Sequence, residues 1–324
     1  MQDLCSVVMP VYNPKNGLEG SIESIINQTY KEIEFLIIND CSSKEFVKII
    51  NFYARKYKNI KVINNQERKG IVYSLNLGFH YASGKYIARM DSDDFSLPTR
   101  IEKQINHLNK NPELSILGSQ ALICDENMSP LHQTKLPTSK EDIKFALMSS
   151  NPLIHPSVIF RSSHLKIFKN DLYVKNNRLN IEDYDLWIRS ISLGLNIENH
   201  SKVLIKYRKS GGSLSHTILS KNNTIHKKNI LNSMISIQKR YPINLRYSCR
   251  SFNSYDLLSK KNYIQRSQII SFFILKKSNK MIFSRSVFSL FLINNFNNSY
   301  FDFLSYLIFV PYILFYKLFL NEKN

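Results

Sequence analysis

The sequence predicts an α/β protein built on a mostly parallel sheet with helices on both faces. Three observations predict it. Over the first 120 residues, short apolar runs alternate with segments of helical periodicity. The runs are apolar throughout, as strands covered on both faces must be. Polar residues follow directly after several runs, where open α/β sheets bind their ligands.

The elements follow in order. Residues 7–9 lie in an apolar run that ends at Pro10. Leu18, Ile22, Ile25 and Ile26 recur at i, i+4, i+7 and i+8, one face of a helix. Residues 33–38 form a second run, stopped by Asn39-Asp40. Phe46, Ile49, Ile50, Tyr53 and Tyr57 predict a second helix, and residues 60–63 a third strand. Ile71, Leu75, Gly78, Phe79 and Ala82 share a third helical face, closed by Gly84. Residues 86–90 then run straight into Asp91. Pro98 sits where a helix opens, continued by Ile101, Ile105 and Leu108, and residues 114–117 read as a further strand. Beyond residue 120 the pattern is mixed. Ser139 and Asp142 resemble a capping box, residues 157–160 and 203–207 are strand-like, and residues 181–193 read as a helix.

The 324 residues allow one large α/β domain with an appendage. A hydrophobic share of 43% supports a core, and 21% charged residues with nine glycines argue against disorder. Cys5, Cys41, Cys124 and Cys249 are scattered and form no CxxC pair. They read as reduced thiols of a cytosolic chain, without a disulfide framework or zinc site. Met-Gln-Asp-Leu-Cys at the start lacks the basic n-region of a signal peptide. The net charge is +19 and unevenly spread. Residues 1–215 carry 28 basic and 22 acidic side chains, whereas residues 216–324 carry 16 and 3. A block so basic seeks an anionic partner: lipid head groups, nucleic acid or a pyrophosphate.

Asp91-Ser92-Asp93-Asp94 closes a buried strand. Carboxylates crowded at a sheet end are costly unless paired. Mn²⁺ or Mg²⁺ resolves the cost by taking one or two carboxylates plus substrate phosphate oxygens. A solvated turn before the next helix is the competing reading. Glu182 and Asp183 open the residue 181–193 helix, where the macrodipole favours carboxylates as plain caps. The functional alternative makes Asp183 a general base for an acceptor hydroxyl, with Glu182 in reserve. Asp40 can accept a hydrogen bond from uracil N3–H or cap the following helix, and Tyr12 can stack on a base. His155 can contact the acceptor or phosphates, or serve as a structural histidine. His216 is a candidate third metal ligand, and Trp187 reads as core.

Together these segments resemble family 2 glycosyltransferases, an inverting group with the GT-A (Rossmann-like) fold. The resemblance is carried by Ser6-Val-Val-Met-Pro10-Val-Tyr12-Asn13, Gln28-Thr29-Tyr30, Asn39-Asp40-Cys-Ser42 and Lys69-Gly70 through Asn76-Leu-Gly78. It continues through Asp91-Ser-Asp93-Asp94 with Pro98 and Arg100, His155-Pro-Ser-Val158, Glu182-Asp183-Tyr184-Asp185-Leu186-Trp187 and Tyr207-Arg208. It covers about residues 4–215. It implies that Pro10, Tyr12, Asn13, Asp40, Lys69, Gly70, Asn76, Asp91 and Ser92 bind the nucleotide-sugar. Asp93 would bind the metal and Asp183 would be the base. Asn39 departs from the family's frequent Asp-Asp-Gly-Ser. No Gln-X-X-Arg-Trp motif is present, which favours transfer of a single sugar over processive synthesis.

Residues 1–215 are thus expected to be the catalytic domain and residues 216–324 a basic, aromatic, helical region. Residues 300–320 would just span a bilayer, but Asp302, Pro311 and their tyrosines suit an interface better. The expectation is a peripheral enzyme on the cytoplasmic face of the inner membrane. It would use a UDP-sugar donor and a polyprenyl-diphosphate-linked saccharide acceptor in bacterial surface-polysaccharide synthesis, and would not bind nucleic acid. A helical subdomain packed on the catalytic domain is the other reading of the C-terminal third. A basic nucleic-acid-binding protein and a non-catalytic sugar-nucleotide binder are the rival functions.

Overall fold

The computed structural model describes residues 3–147, 150–168, 171–174 and 181–209. His216, Cys249, the 300–320 segment and the whole of the predicted C-terminal region lie outside the described residues. Among the described residues, no helix is long and apolar enough to cross a membrane.

Strand β1 (Cys5–Val11), helix α1 (Leu18–Ile26), β2 (Ile33–Asn39), α2 (Lys44–Lys56), β3 (Ile60–Asn64), α3 (Ile71–Tyr81) and β4 (Tyr86–Arg89) form the alternating half. Then come β5 (Phe95–Ser96), α4 (Arg100–Lys110), β6 (Leu114–Cys124), β7 (Pro130–Gln133) and α5 (Lys140–Ala146). A 3₁₀ turn (His155–Ser157), β8 (Ile159–Arg161), α6 (Ser162–Leu165), α7 (Glu182–Ser192) and β9 (Asn196–Arg208) complete the unit.

The sheet runs β3-β2-β1-β4-β8-β6-β9-β5, with β7 beside β6. It is mixed, which corrects the expectation of a mostly parallel sheet. Strands β3, β2, β1 and β4 pair parallel, as does β6 with β9. Strand β8 runs antiparallel to both β4 and β6, β7 to β6, and β5 to β9. An apolar run records burial on two faces but not direction, so the reversal at β8 left no trace in the hydrophobic pattern.

Alternate residues of the central strands feed two cores, because strand side chains point to opposite faces. Val7, Met9, Phe35 and Ile37 pack with Ile22 and Ile25 of α1, Ile50 of α2 and Ile101 and Ile105 of α4. Val8, Leu36 and Ile38 pack on the other face with Leu75 of α3 and Leu186, Trp187 and Ile188 of α7. Trp187 is core, as its sequence context predicted. Helix α3 lies close against β1 because Gly78 faces it. A Cβ at Gly78 would stand 2.3 Å from Val8 Cγ1.

Pro10 does not end β1. Val8 accepts from Met90 and Val11 from Asp40, so residue 10 turns toward β4. The β4 pairing stops at Val8–Arg89, and the missing N–H of Pro10 therefore costs no ladder bond. Pro98 precedes α4 by two residues rather than opening it, and Thr99 is its N-cap. Ser139 and Asp142 do bond reciprocally at the start of α5, Oγ to Oδ2 at 2.8 Å and Asp142 N–H to Oγ at 3.2 Å.

Candidate active site

Strands β1, β2 and β4 are parallel, so their carboxyl ends deliver Tyr12-Asn13, Asp40 and Asp91 to one edge of the sheet. Arg89, the last residue of β4, stands at the centre of this edge and is 4% exposed. Its two terminal nitrogens each lie 2.5 Å from an oxygen of Asp91, a fork-to-fork ion pair. The end of β4 is fixed by fully buried Arg100, which donates to the Arg89 carbonyl at 2.8 Å. Gln104 braces it and donates to the carbonyls of Leu117 and Ser157.

Asp91, Asp93 and Asp94 each offer an oxygen within 4.8 Å of the others. Burial first, and then the charge of Asp91, push the Asp93 carboxyl up to about 6 and Asp94 well above the usual range. Asp94 is 2% exposed. Its Oδ1 accepts the Arg208 main-chain N–H at 2.8 Å, while Oδ2 is buried with no hydrogen-bond partner. Crowded buried carboxylates, one with an orphaned oxygen, suit a hard divalent cation. Arg89 engages each oxygen of Asp91 once and Asp94 Oδ1 holds the Arg208 N–H, which leaves Asp93 and Asp94 Oδ2 the less engaged of the three. Ser92 lies in the same turn.

Glu182 and Asp183 open α7. Asp183 Oδ2 accepts from Asn151 Nδ2 at 2.6 Å, and Oδ1 accepts the Tyr184 N–H at 2.7 Å. Burial raises the Asp183 carboxyl, opposed by these two donors and by Arg89. Burial and the neighbouring Asp183 push Glu182 up to about 7. Arg89 acts on both carboxylate groups, and the charge of Asp91 reaches Glu182. Arg89 thus pairs directly with Asp91, and its charge acts to lower the carboxyls of Asp93, Asp94, Glu182 and Asp183 as well. Asp40 ends β2 at the same sheet edge, with β1 between it and β4.

Asp40 is 3% exposed and already engaged. Oδ1 accepts Lys69 N–H at 2.8 Å and Asn65 Nδ2 at 2.7 Å, and Oδ2 accepts Gly70 N–H at 2.8 Å. It ties the loop before α3 to the end of β2. A carboxylate has about four acceptor positions, so one on Oδ2 remains. Lys69 contributes its backbone here, while its ammonium pairs with Glu67. Gly70 has φ 88°, a left-handed value that favours glycine. Asn39, the departure from the family pattern, donates to Asn64 Oδ1 at 2.8 Å and accepts Ser42 N–H at 3.0 Å, joining the ends of β2 and β3. Asn13 accepts Ser43 N–H at 2.8 Å. Tyr12 is 40% exposed with the Arg68 guanidinium 4.0 Å from its ring centroid, a residue the sequence did not single out.

Two expected ligand contacts have protein partners in the structure. The Asn76 amide donates to the Tyr173 carbonyl at 2.8 Å and accepts the Tyr173 N–H at 2.9 Å. A side chain bonded at both ends to one backbone unit is a clamp for that segment. His155 is 9% exposed, hydrogen-bonded to Tyr173 Oη at 2.9 Å and edge-on to Trp187. Burial, and then Arg89, hold its imidazole well below its ordinary pKa, so it is a neutral structural histidine.

Comparison with known proteins agrees with this geometry. Residues 6–173 match the model of "Glycosyl transferase family 2". The chain belongs to that family. The transferase is 38% identical over 208 residues to an uncharacterized glycosyltransferase of Methanocaldococcus jannaschii, covering 63% of this chain and 70% of that one. It is 30% identical over 264 residues to the O-antigen biosynthesis glycosyltransferase WbnJ of Escherichia coli, covering 80% and 91%. Among solved structures, S. aureus TarS 1-349 in complex with UDP-GlcNAc superposes with a TM-score of 0.56 at 18% identity, over 84% of this chain and 81% of that one. The transferase thus has a GT-A-like fold.

The sequence assigned no site role to Arg89, Asn151, Arg68, Asn65 or Arg208. Arg208 was quoted only as part of the family resemblance, and Arg89 carried a signal as a lone cation in an apolar strand two residues before an aspartate.

Proposed function

We propose that this transferase moves one sugar from a UDP-sugar, with inversion, to a polyprenyl-diphosphate-linked saccharide. The setting would be surface-polysaccharide synthesis at the cytoplasmic face of a bacterial inner membrane. The observation that carries the reading is that one buried guanidinium, Arg89, ion-paired with Asp91, also acts to lower the carboxyls of both acidic groups, Asp93 and Asp94 after β4 and Glu182 and Asp183 at the start of α7. An inverting transfer needs both in one place. One group serves the leaving diphosphate and the other the attacking hydroxyl.

Asp183 takes the hydroxyl proton as the new bond forms at the anomeric carbon. Asn151 and the Tyr184 N–H favour its ionised form against burial and fix its direction. Glu182 is the reserve base. Asp93 and Asp94 would hold Mn²⁺ or Mg²⁺, which when bound offsets the charge of the departing diphosphate. Arg89 prevents the two acidic groups from repelling each other apart. Asp40 offers its remaining acceptor position to uracil N3–H, and Tyr12 supplies the stacking face. The UDP donor is supported by the TarS complex, and the polysaccharide setting by the likeness to WbnJ. The basic, aromatic residues 216–324 support the membrane surface and the lipid-linked acceptor.

The test is donor hydrolysis and transfer across a panel of UDP-, GDP- and dTDP-sugars, with and without Mn²⁺. UDP-sugars should be consumed only with a divalent ion. Turnover confined to GDP- or dTDP-sugars would sink the donor assignment, and unchanged turnover in chelator would sink the metal.

A further inference from the structure

Arg208 ends β9 at the same edge of the sheet, opposite Cys124 of β6. Its main-chain N–H donates to Asp94 Oδ1 and its Nε donates to the Asp93 carbonyl, both at 2.8 Å. Its Nη1 donates to the Glu126 carbonyl in the turn after β6. The guanidinium also fills space kept open by Gly17. A Cβ there would meet Arg208 Nη2 at 2.7 Å and the Asp93 carbonyl at 3.3 Å, and φ is +91°. Loops that follow β1, β4 and β6 thus converge on one planar cation. Only a guanidinium offers several donors in a rigid fork, so a single-point charge cannot replace it.

The geometry points to Arg208 as a positioning residue that sets the direction of the Asp93 carboxylate by pinning the main chain on which it is carried. The inference rests on the reading that Asp93 holds the metal and the diphosphate. Arg208 touches neither; it acts through the Asp93 carbonyl and the Asp94 side chain. Its position at the end of the last described strand means that the loop is held by the completed fold and not by its own sequence.

The experiment is calorimetric titration of the full chain with UDP plus Mn²⁺ and, separately, with uridine alone, for the wild type, Arg208→Ala, Arg208→Lys and Gly17→Ala. Arg208→Ala and Arg208→Lys should both weaken Mn²⁺-dependent UDP binding by about tenfold or more, the usual effect of losing a group that orients a ligand. Uridine binding, which uses neither the metal nor the Asp93 carboxylate, should stay within about twofold of wild type. Gly17→Ala, which crowds the guanidinium without removing it, should shift in the same direction and so covers the case in which Arg208→Ala does not fold. Full recovery in Arg208→Lys would mean that charge alone matters and would overturn the inference. Wild-type Mn²⁺–UDP affinity in all three variants, or equal loss of uridine and Mn²⁺–UDP binding, would also overturn it. Absence of Mn²⁺-dependent UDP binding in the wild type would instead defeat the functional reading beneath it.

Discussion

The side-chain amide of Asn151 donates to Oδ2 of Asp183 at 2.6 Å, across 32 positions of sequence. A donor on a carboxylate favours the ionised form, and here it opposes the burial that raises Asp183. A base must be ionised to accept a proton, so activity is lost as pH falls through its pKa. Asn151→Ala removes a stabiliser of the charged form and should move the acid limb of the kcat–pH profile to higher pH. It should also lower kcat on the order of tenfold, the worth of one charged hydrogen bond. A profile of Asn151→Ala that coincides with wild type would remove Asp183 from the role of base.

Asp183→Asn and Asp93→Ala should remain folded while losing transfer by different routes. Asp183→Asn should lower kcat by roughly 10²–10⁴-fold with donor binding retained, the usual range for a general base. Asp93→Ala should lose Mn²⁺-dependent UDP affinity as well. Thermal melts establish folding, and full activity in both variants would end the assignment.

Asn76→Ala separates the clamp from a nucleotide contact. Its loss leaves the main-chain N–H and carbonyl of Tyr173 short of partners, which should cost about 1–3 kcal/mol of stability in a denaturant melt. Uridine affinity should not change. Intact stability with weakened uridine binding would restore Asn76 to the nucleotide pocket.

Glu34 gives the fold a pH dependence remote from the site. Burial raises its carboxyl, but donors from Lys61, Ser6 and Ser83 outweigh burial and bring it down to about 2. A lowered folded pKa stabilises above the unfolded value of 4.5, and the contribution is lost as pH falls toward 2. Glu34→Gln should therefore cost roughly 2 kcal/mol at pH 7 and almost nothing near pH 2. Equal losses at both pH values would show that packing, not charge, holds this position.

Much of the fold was legible. The periodicity of Leu18, Ile22 and Ile25 and the unbroken run of residues 33–38 mark α1 and β2 because burial on one stripe or on two faces leaves its pattern in the sequence. The two-residue β5 and the reversed direction of β8 were not legible, since neither so short a pairing nor a strand's direction is written in hydrophobicity. In the site, Asp93 and Asp183 stood out as carboxylates at element ends. That Asn76 and His155 both bond Tyr173 was not legible, because a polar side chain looks alike in sequence whether it meets a substrate or a protein partner.

The sequence by itself determined the alternation of elements, the two-faced burial of β1 and β2, and the acidic groups at the end of β4 and the start of α7. These depend on neighbours within a few residues. Only the tertiary structure decided that the charge of Arg89 reaches both groups, that Asn151 reaches Asp183, and that Arg208 donates to the Asp93 carbonyl. Each such pairing joins segments on different strands or loops, and it exists only once sheet order and strand direction have brought them to one edge.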